Sequence, residues 1–182
     1  MNWQGIDEQR FANYQSWVNQ QGNYCGSYAA AVLLAYYQDY FDETIIPEYL
    51  REVNSSKEQA LIAVLQLIIQ PFGLPTLPIE LSMGINRYFR RFAANYRVRQ
   101  TPFGGWQRVK KRLDNHQPII VGLSKKKGST YGNHWVVAYA YAKAENDQYL
   151  LKVHDLWGNY AAIVPASWLN GTVSFPTQSI HF

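Results

Sequence analysis

NQQGNYCGSYAAAVLLAYYQDYF, residues 19–41, carries the chain's one cysteine immediately ahead of a run of small and apolar residues. Ala29, Val32, Leu33, Tyr36 and Tyr37 recur at helical spacing, and the Ala29-Ala30-Ala31 run favours a helix that packs closely on its neighbours. The spacing predicts a central helix from Cys25 to about Phe41, with Cys25 at its N-terminus. Unpaired N–H groups and the helix dipole favour negative charge there, and a thiol is a useful nucleophile only as thiolate. A lone cysteine can equally be a small core residue, so its surroundings decide its meaning.

Upstream, Gln20 and Gln21 lie in the loop that leads into this helix, and either side-chain amide could serve a developing oxyanion. Downstream, Ser55 with Glu58 three residues on reads as a capping box before ALIAVLQLIIQ, residues 60–70, and Pro71-Phe72-Gly73 ends that helix. Ile79 to Asn95 reads as an amphipathic helix and Gly105 to Asn115 as a short one. After Gln117-Pro118 the character changes. IIVGL (119–123), HWVVAYAY (134–141), YLLKVHD (149–155) and YAAIV (160–164) are short and rich in β-branched and aromatic residues, which predicts strands. Helices over about residues 1–116 followed by a sheet over about 117–182 predict an α+β fold with an antiparallel sheet, in one domain spanning 1–182.

At 182 residues and 47% hydrophobic, the chain suffices for one core and is short for two. No stretch reaches the roughly 18 continuous apolar residues of a membrane span, so none is expected. MNWQGIDEQRF lacks a basic segment followed by an apolar one, so no signal peptide is expected in this sequence. One cysteine excludes an internal disulfide and a multi-cysteine zinc site, and no cofactor or metal is expected. The net charge of +4 arises partly from RYFRRF (87–92), RVR (97–99), RVKKR (108–112) and KKK (125–127). No stacking motif or recognition helix accompanies these groups, so they read as solvated faces and nucleic acid is not an expected partner.

A catalytic cysteine needs an imidazole within reach and a group that orients it. Of the four histidines, His134 opens a strand after the flexible loop GSTYGN (128–133), and Asp155 closes the next strand before Leu156-Trp157-Gly158. A hairpin could bring these two side chains together as base and orienter. His154 points away from Asp155 on a regular strand, His116 ends a helix and His181 is near the C-terminus, so these three read as structural.

With glutamine, cysteine, histidine and aspartate in this order, the chain resembles the papain-like cysteine peptidases over nearly its whole length. QQGNYCGSYAAAVLL is similar to the nucleophile segment of staphopains and of the double-glycine, bacteriocin-processing peptidases of bacteria. GNHWVVAYAYAKAENDQYLLKVHDLWGNY resembles their histidine strand, hairpin and orienter, and WQRVKKRLDNHQPIIVGL their preceding helix and strand. The resemblance implies Cys25 as nucleophile, His134 as general base and acid, Asp155 as orienter and Gln20 as oxyanion donor, with Trp157 shielding the His134–Asp155 pair. Asn133, beside His134, would line the substrate cleft by its backbone. The segment departs from papain in carrying Gly26-Ser27 where the plant enzymes have tryptophan, and its glutamine-to-cysteine spacing is one residue shorter, which keeps Gln21 as an alternative to Gln20. The implied activity is hydrolysis of peptide or protein substrates through a thioester. Acyl transfer, amidase or toxin-like chemistry on the same fold, and non-catalytic binding of a leader peptide, are the alternatives. The implied setting is a secreted or cell-surface bacterial protein, with the cytoplasm as alternative.

Overall fold

The computed structural model describes residues 1–20, 22–51, 58–92 and 96–175. In chain order these form β1 (Gln4–Gly5), α1 (Gln9–Ala12), α2 (Cys25–Tyr40), α3 (Glu58–Ile69), α4 (Pro78–Phe92), β2 (Arg99–Thr101), α5 (Trp106–Asp114), β3 (Ile119–Leu123), β4 (His134–Lys143), β5 (Tyr149–His154), β6 (Ala162–Pro165) and β7 (Leu169–Ser174). The architecture is α+β: seven strands form one antiparallel sheet in the order β2-β7-β3-β4-β5-β6, with β1 pairing β4 beyond the end of β3.

Helix α2 is the centre of the molecule because nearly every position on it is small or apolar. From Ala29 to Leu34 every residue has no measurable exposure. A helix apolar all round must be covered all round. Here β3 and β4 cover one side, and α3 and α4 pack on the others. The opposite face of the sheet is closed by α5, whose Val109 and Leu113 pack with Val121, Val136 and Leu151. Alternation along the strands feeds both layers: Ile120, Val137 and Val173 join the α2 side, while Ile119, Val121 and Val136 join the α5 side.

Three predicted features shift. The sheet is not confined to the C-terminal part, since β1 and β2 come from the helical stretch and the latter forms an edge beside β7. Strand β7, which the sequence left unassigned, sits between β2 and β3. Strand β6 begins at Ala162 rather than Tyr160. The Ser55 capping box and His181 lie outside the described residues.

Two connections fix the start of α2 and the loop before it. Gln70, just past α3, is buried and uses both ends of its amide. Its Oε1 accepts from the backbone N–H and the hydroxyl of Ser27 at 3.0 and 2.8 Å, and its Nε2 donates to the carbonyls of Asn23 and Leu74. The start of α2 is thereby pinned to the segment joining α3 to α4. Gly26 permits this approach, because a Cβ there would lie 2.6 Å from the Thr76 hydroxyl. On the other flank, Asn19 donates its N–H to the Leu156 carbonyl at 2.8 Å, tying the loop before Cys25 to the turn after β5.

Candidate active site

Cys25 is the first residue of α2 and His134 the first of β4, and both line one cavity of about 330 Å³. Pro75, Thr76, Leu77 and Pro78 form one wall, Gly122, Leu123 and Ser124 at the end of β3 another, and Lys126, Asn133 and Asn170 its polar rim. Gly122 keeps the floor open, since a Cβ there would meet the Asn170 carbonyl at 2.7 Å and the Trp135 ring at 3.1 Å. Trp135 Nε1 donates to the Thr76 carbonyl at 3.1 Å, joining two of the walls.

His134 is held differently from the sequence expectation. Its Nε2 lies 2.7 Å from the backbone carbonyl oxygen of Asp155, not from the carboxylate. A carbonyl only accepts, so Nε2 carries the proton and neutral His134 presents Nδ1 as its bare, basic nitrogen. The Asp155 carboxylate instead builds the turn: Oδ1 accepts the N–H groups of Trp157 at 2.8 Å and Asn159 at 3.0 Å, and Oδ2 accepts the Tyr131 hydroxyl at 3.3 Å. Within that turn Leu156 adopts φ of 63°, a left-handed conformation that a leucine holds only under constraint. Asp155 thus orients His134 through its main chain, because the tight turn points the side chain along the turn and the carbonyl toward the ring.

Aromatic rings close over the imidazole. Trp157 lies 4.3 Å from the His134 ring centre, and Tyr131 stacks at 5.8 Å with an interplanar angle of 7°. Trp157, to which the resemblance gives a shielding role, is itself half exposed, and Tyr131, one of fourteen tyrosines, carries no sequence signal that would have singled it out. Burial pushes the His134 pKa below its ordinary value, opposed by Asp155. Burial likewise pushes the Cys25 thiol up, opposed by backbone hydrogen bonds from Trp135, Gly26 and Cys25 itself. Of these N–H groups only those of Gly26 and Cys25 belong to the start of α2, and desolvation outweighs them and the Trp135 bond together.

The remaining expectations divide. Asn133 lines the cavity, its Oδ1 accepting the Lys125 N–H at 3.0 Å. Gln20 is exposed and lines a separate hollow with Ser16, Trp17, Val18, Tyr28 and Gln59, so the structure does not place it among the residues lining the Cys25–His134 cavity. Gln21 lies outside the described residues. Asn170, which the sequence did not mark, contributes an amide to the rim. His154 is structural: buried, its Nε2 meets the Tyr14 carbonyl at 2.8 Å and its Nδ1 accepts the Leu156 N–H at 3.2 Å. His116 is exposed, with Nδ1 2.8 Å from the Gly5 carbonyl.

Among the described residues no group of three or more His, Cys, Asp or Glu side chains could hold a metal, and no helix is long and apolar enough to cross a membrane. No family model matches the chain, and no curated protein does. Among solved structures, a recombinant stem bromelain precursor superposes on 96% of this chain and 74% of its own, with a TM-score of 0.45 and 11% identity.

Proposed function

We propose that the chain is a papain-like cysteine peptidase, one domain over residues 1–182, acting on peptide or protein substrates with Cys25 as nucleophile and His134 as general base and acid. What carries this reading is one observation: a cysteine at a helix start and a histidine with a bare Nδ1 line the same cavity, the histidine fixed by the Asp155 carbonyl. The two side chains rest as neutral thiol and neutral imidazole. Nδ1 of His134 takes the thiol proton as the sulfur attacks the substrate carbonyl, and the same proton passes to the leaving amine. Water, deprotonated at Nδ1, then hydrolyses the thioester. The ring keeps its orientation throughout because Nε2 remains bonded to the Asp155 carbonyl, which also stabilises the transient imidazolium.

The oxyanion takes the backbone N–H of Cys25 at the start of α2. Gln20 is the side-chain donor assigned by the resemblance, and its amide would have to leave the separate hollow that it lines. Trp157 and Tyr131 limit water around His134.

Mass spectrometry of a diverse peptide mixture incubated under reducing conditions tests this. Wild type is expected to yield fragments that have gained water, and Cys25→Ala and His134→Ala to yield none. Fragments in equal amount from either variant overturn the assignment. Amine incorporation without a gain of water shifts the chemistry to acyl transfer.

A further inference from the structure

Beside the Cys25 cavity the chain holds large apolar side chains out in solvent. Phe72 is 85% exposed, Leu74 64% and Leu77 62%, and Ile79 and Met83 are about half exposed. All five come from the loop joining α3 to α4 and from the first half of α4. Ile79, Met83, Arg87 and Arg90 follow at steps of four, four and three, so they share one face of α4, and all four are exposed. Phe72 and Leu74 belong to the same surface, because they line one hollow of about 260 Å³ with Met83 and Arg87. Residues 67–91 hold three arginines, Arg87, Arg90 and Arg91, and one carboxylate, Glu80. None of the three pairs with a carboxylate among the described residues, and Glu80 accepts the Leu77 N–H at 2.8 Å.

Single exposed apolar residues are ordinary, but a contiguous set beside unpaired cations marks an interaction surface. The loop is held firmly in this exposed form. The Leu74 carbonyl accepts Gln70 Nε2 at 2.9 Å, the Thr76 carbonyl accepts Trp135 Nε1 at 3.1 Å, and Gly73 donates its N–H to the Gln70 carbonyl at 2.9 Å. A loop fixed in advance presents Phe72 and Leu74 at little ordering cost. It offers little to an extended peptide, however: Pro71, Pro75 and Pro78 have no N–H, and the N–H groups of Gly73 and Leu77 are already used. A lipid bilayer asks for no backbone pairing. Its interface takes apolar side chains, and an anionic headgroup layer takes arginines beside them. Reading RYFRRF as a solvated face accounts for the arginines and leaves the exposed apolar side chains without a reason.

We propose that the loop joining α3 to α4, together with the exposed face of α4, docks onto the surface of an anionic lipid bilayer. Phe72, Leu74 and Leu77 enter the boundary between headgroups and acyl chains, and the guanidinium groups of Arg87 and Arg90 meet lipid phosphates. Because Leu77 also lines the Cys25 cavity, docking sets that cavity beside the bilayer. The docking itself is independent of the peptidase reading.

Co-sedimentation of the full chain with sucrose-loaded vesicles tests it, comparing phosphatidylcholine alone with phosphatidylcholine mixed with phosphatidylglycerol. Saturable partition onto the mixed vesicles is expected, falling as salt rises, with much less onto phosphatidylcholine alone. Phe72→Ser with Leu74→Ser is expected to weaken partition about tenfold or more. Arg87→Gln with Arg90→Gln is expected to weaken it about thirtyfold, at about fivefold for each guanidinium removed. Lys111→Gln, exposed on α5 across the sheet, is expected to leave it unchanged. Ile79→Gln with Met83→Gln makes the same comparison as the serine pair, so misfolding of one pair, read as a lost urea transition, leaves the other. No partition onto either vesicle overturns the proposal, as do equal partition onto both, partition that neither apolar pair weakens, and partition that the arginine pair leaves intact. With no partition, a dimer that the serine pair dissolves in light scattering assigns the face to a second copy, and slower peptide cleavage by that pair assigns it to substrate.

Discussion

Replacing Asp155 separates the two ways an aspartate can hold a histidine. In Asp155→Asn the side-chain oxygen can still accept the N–H groups of Trp157 and Asn159, the turn survives, and the backbone carbonyl stays 2.7 Å from His134 Nε2. Only the long contact from Tyr131 at 3.3 Å is altered, and its hydroxyl can accept from the new amide. The variant is therefore expected to lose no more than about 1 kcal/mol of stability and to stay within about threefold of wild-type kcat/KM. Asp155→Ala strips both turn N–H groups of their acceptor, at about 1–3 kcal/mol each where they are buried. It also frees Leu156 from the turn that holds it left-handed, so the carbonyl drifts from the ring and kcat/KM falls about ten- to a hundredfold. The assay pairs urea denaturation with turnover on a peptide cleaved by the wild type. Where none is found, the rate of Cys25 alkylation by iodoacetamide serves instead, with His134→Ala as reference. If Asp155→Asn loses as much as His134→Ala, the carboxylate orients the ring and the main-chain account is wrong.

The neutral resting pair predicts that Cys25 alkylation rises with a midpoint above the ordinary thiol value of about 8.5, because burial raises the thiol pKa. A fast plateau at mildly acidic pH would show an ion pair instead. Burial lowers both His134 and His154, so the unfolded chain binds more protons than the folded one below about pH 6.5; stability is full above that value and declines as pH falls through it toward the folded pKa values. Urea midpoints between pH 7 and 5 should show this slope, flattened in His154→Gln, and an identical slope in that variant refutes it. Gln70→Met keeps the volume but leaves the Ser27 hydroxyl and N–H and two carbonyls unpaired, so a loss of about 2–4 kcal/mol is expected by urea denaturation. A change within 0.5 kcal/mol, about the scatter of ordinary surface substitutions, refutes the role given to Gln70.

Which parts of the molecule the sequence revealed depends on where their information resides. Helix α2 was readable because its burial on all sides requires apolar residues at every phase, and Ala29 to Leu34 supply them. Strands β3, β4 and β5 were readable because both faces of that part of the sheet are covered, which demands continuous runs such as IIVGL and HWVVAYAY. Strand β7 was not, since LNGTVS carries Asn170, Gly171, Thr172 and Ser174, and only its position between β2 and β3 makes them interior. Strands β1 and β2, of two and three residues, are too short to carry a period. In the candidate site, Cys25 and His134 were legible because their chemistry is in their side chains. The part Asp155 plays was half legible: a polar residue before a Trp-Gly turn marks the turn, but a carbonyl belongs to every residue and only the fold shows which one faces the ring. Gln70 and Tyr131 act wholly through tertiary contacts, which no local pattern encodes.

The neutral pair and the carbonyl orienter fit together electrostatically. A carboxylate close to Nε2 would favour imidazolium, and with it a resting thiolate, in a pocket where Cys25 and His134 are both buried and each charge carries a desolvation penalty. A carbonyl fixes the same tautomer and the same ring orientation while exerting a weaker pull on the proton. The Asp155 carboxylate, turned toward the N–H groups of Trp157 and Asn159, still favours a charged ring, but burial outweighs that pull and the His134 pKa stays below its ordinary value. In the proposed mechanism charge separation is thereby deferred to the moment when a substrate carbonyl accepts the sulfur's electrons and the start of α2 receives the negative charge. On that mechanism proton transfer to Nδ1 and attack by sulfur become coupled events, so a solvent isotope effect on the attack step, read with a substrate whose leaving group needs no proton, is the kinetic mark of this arrangement. A pre-formed ion pair, whose proton has already moved, would leave the attack step without one.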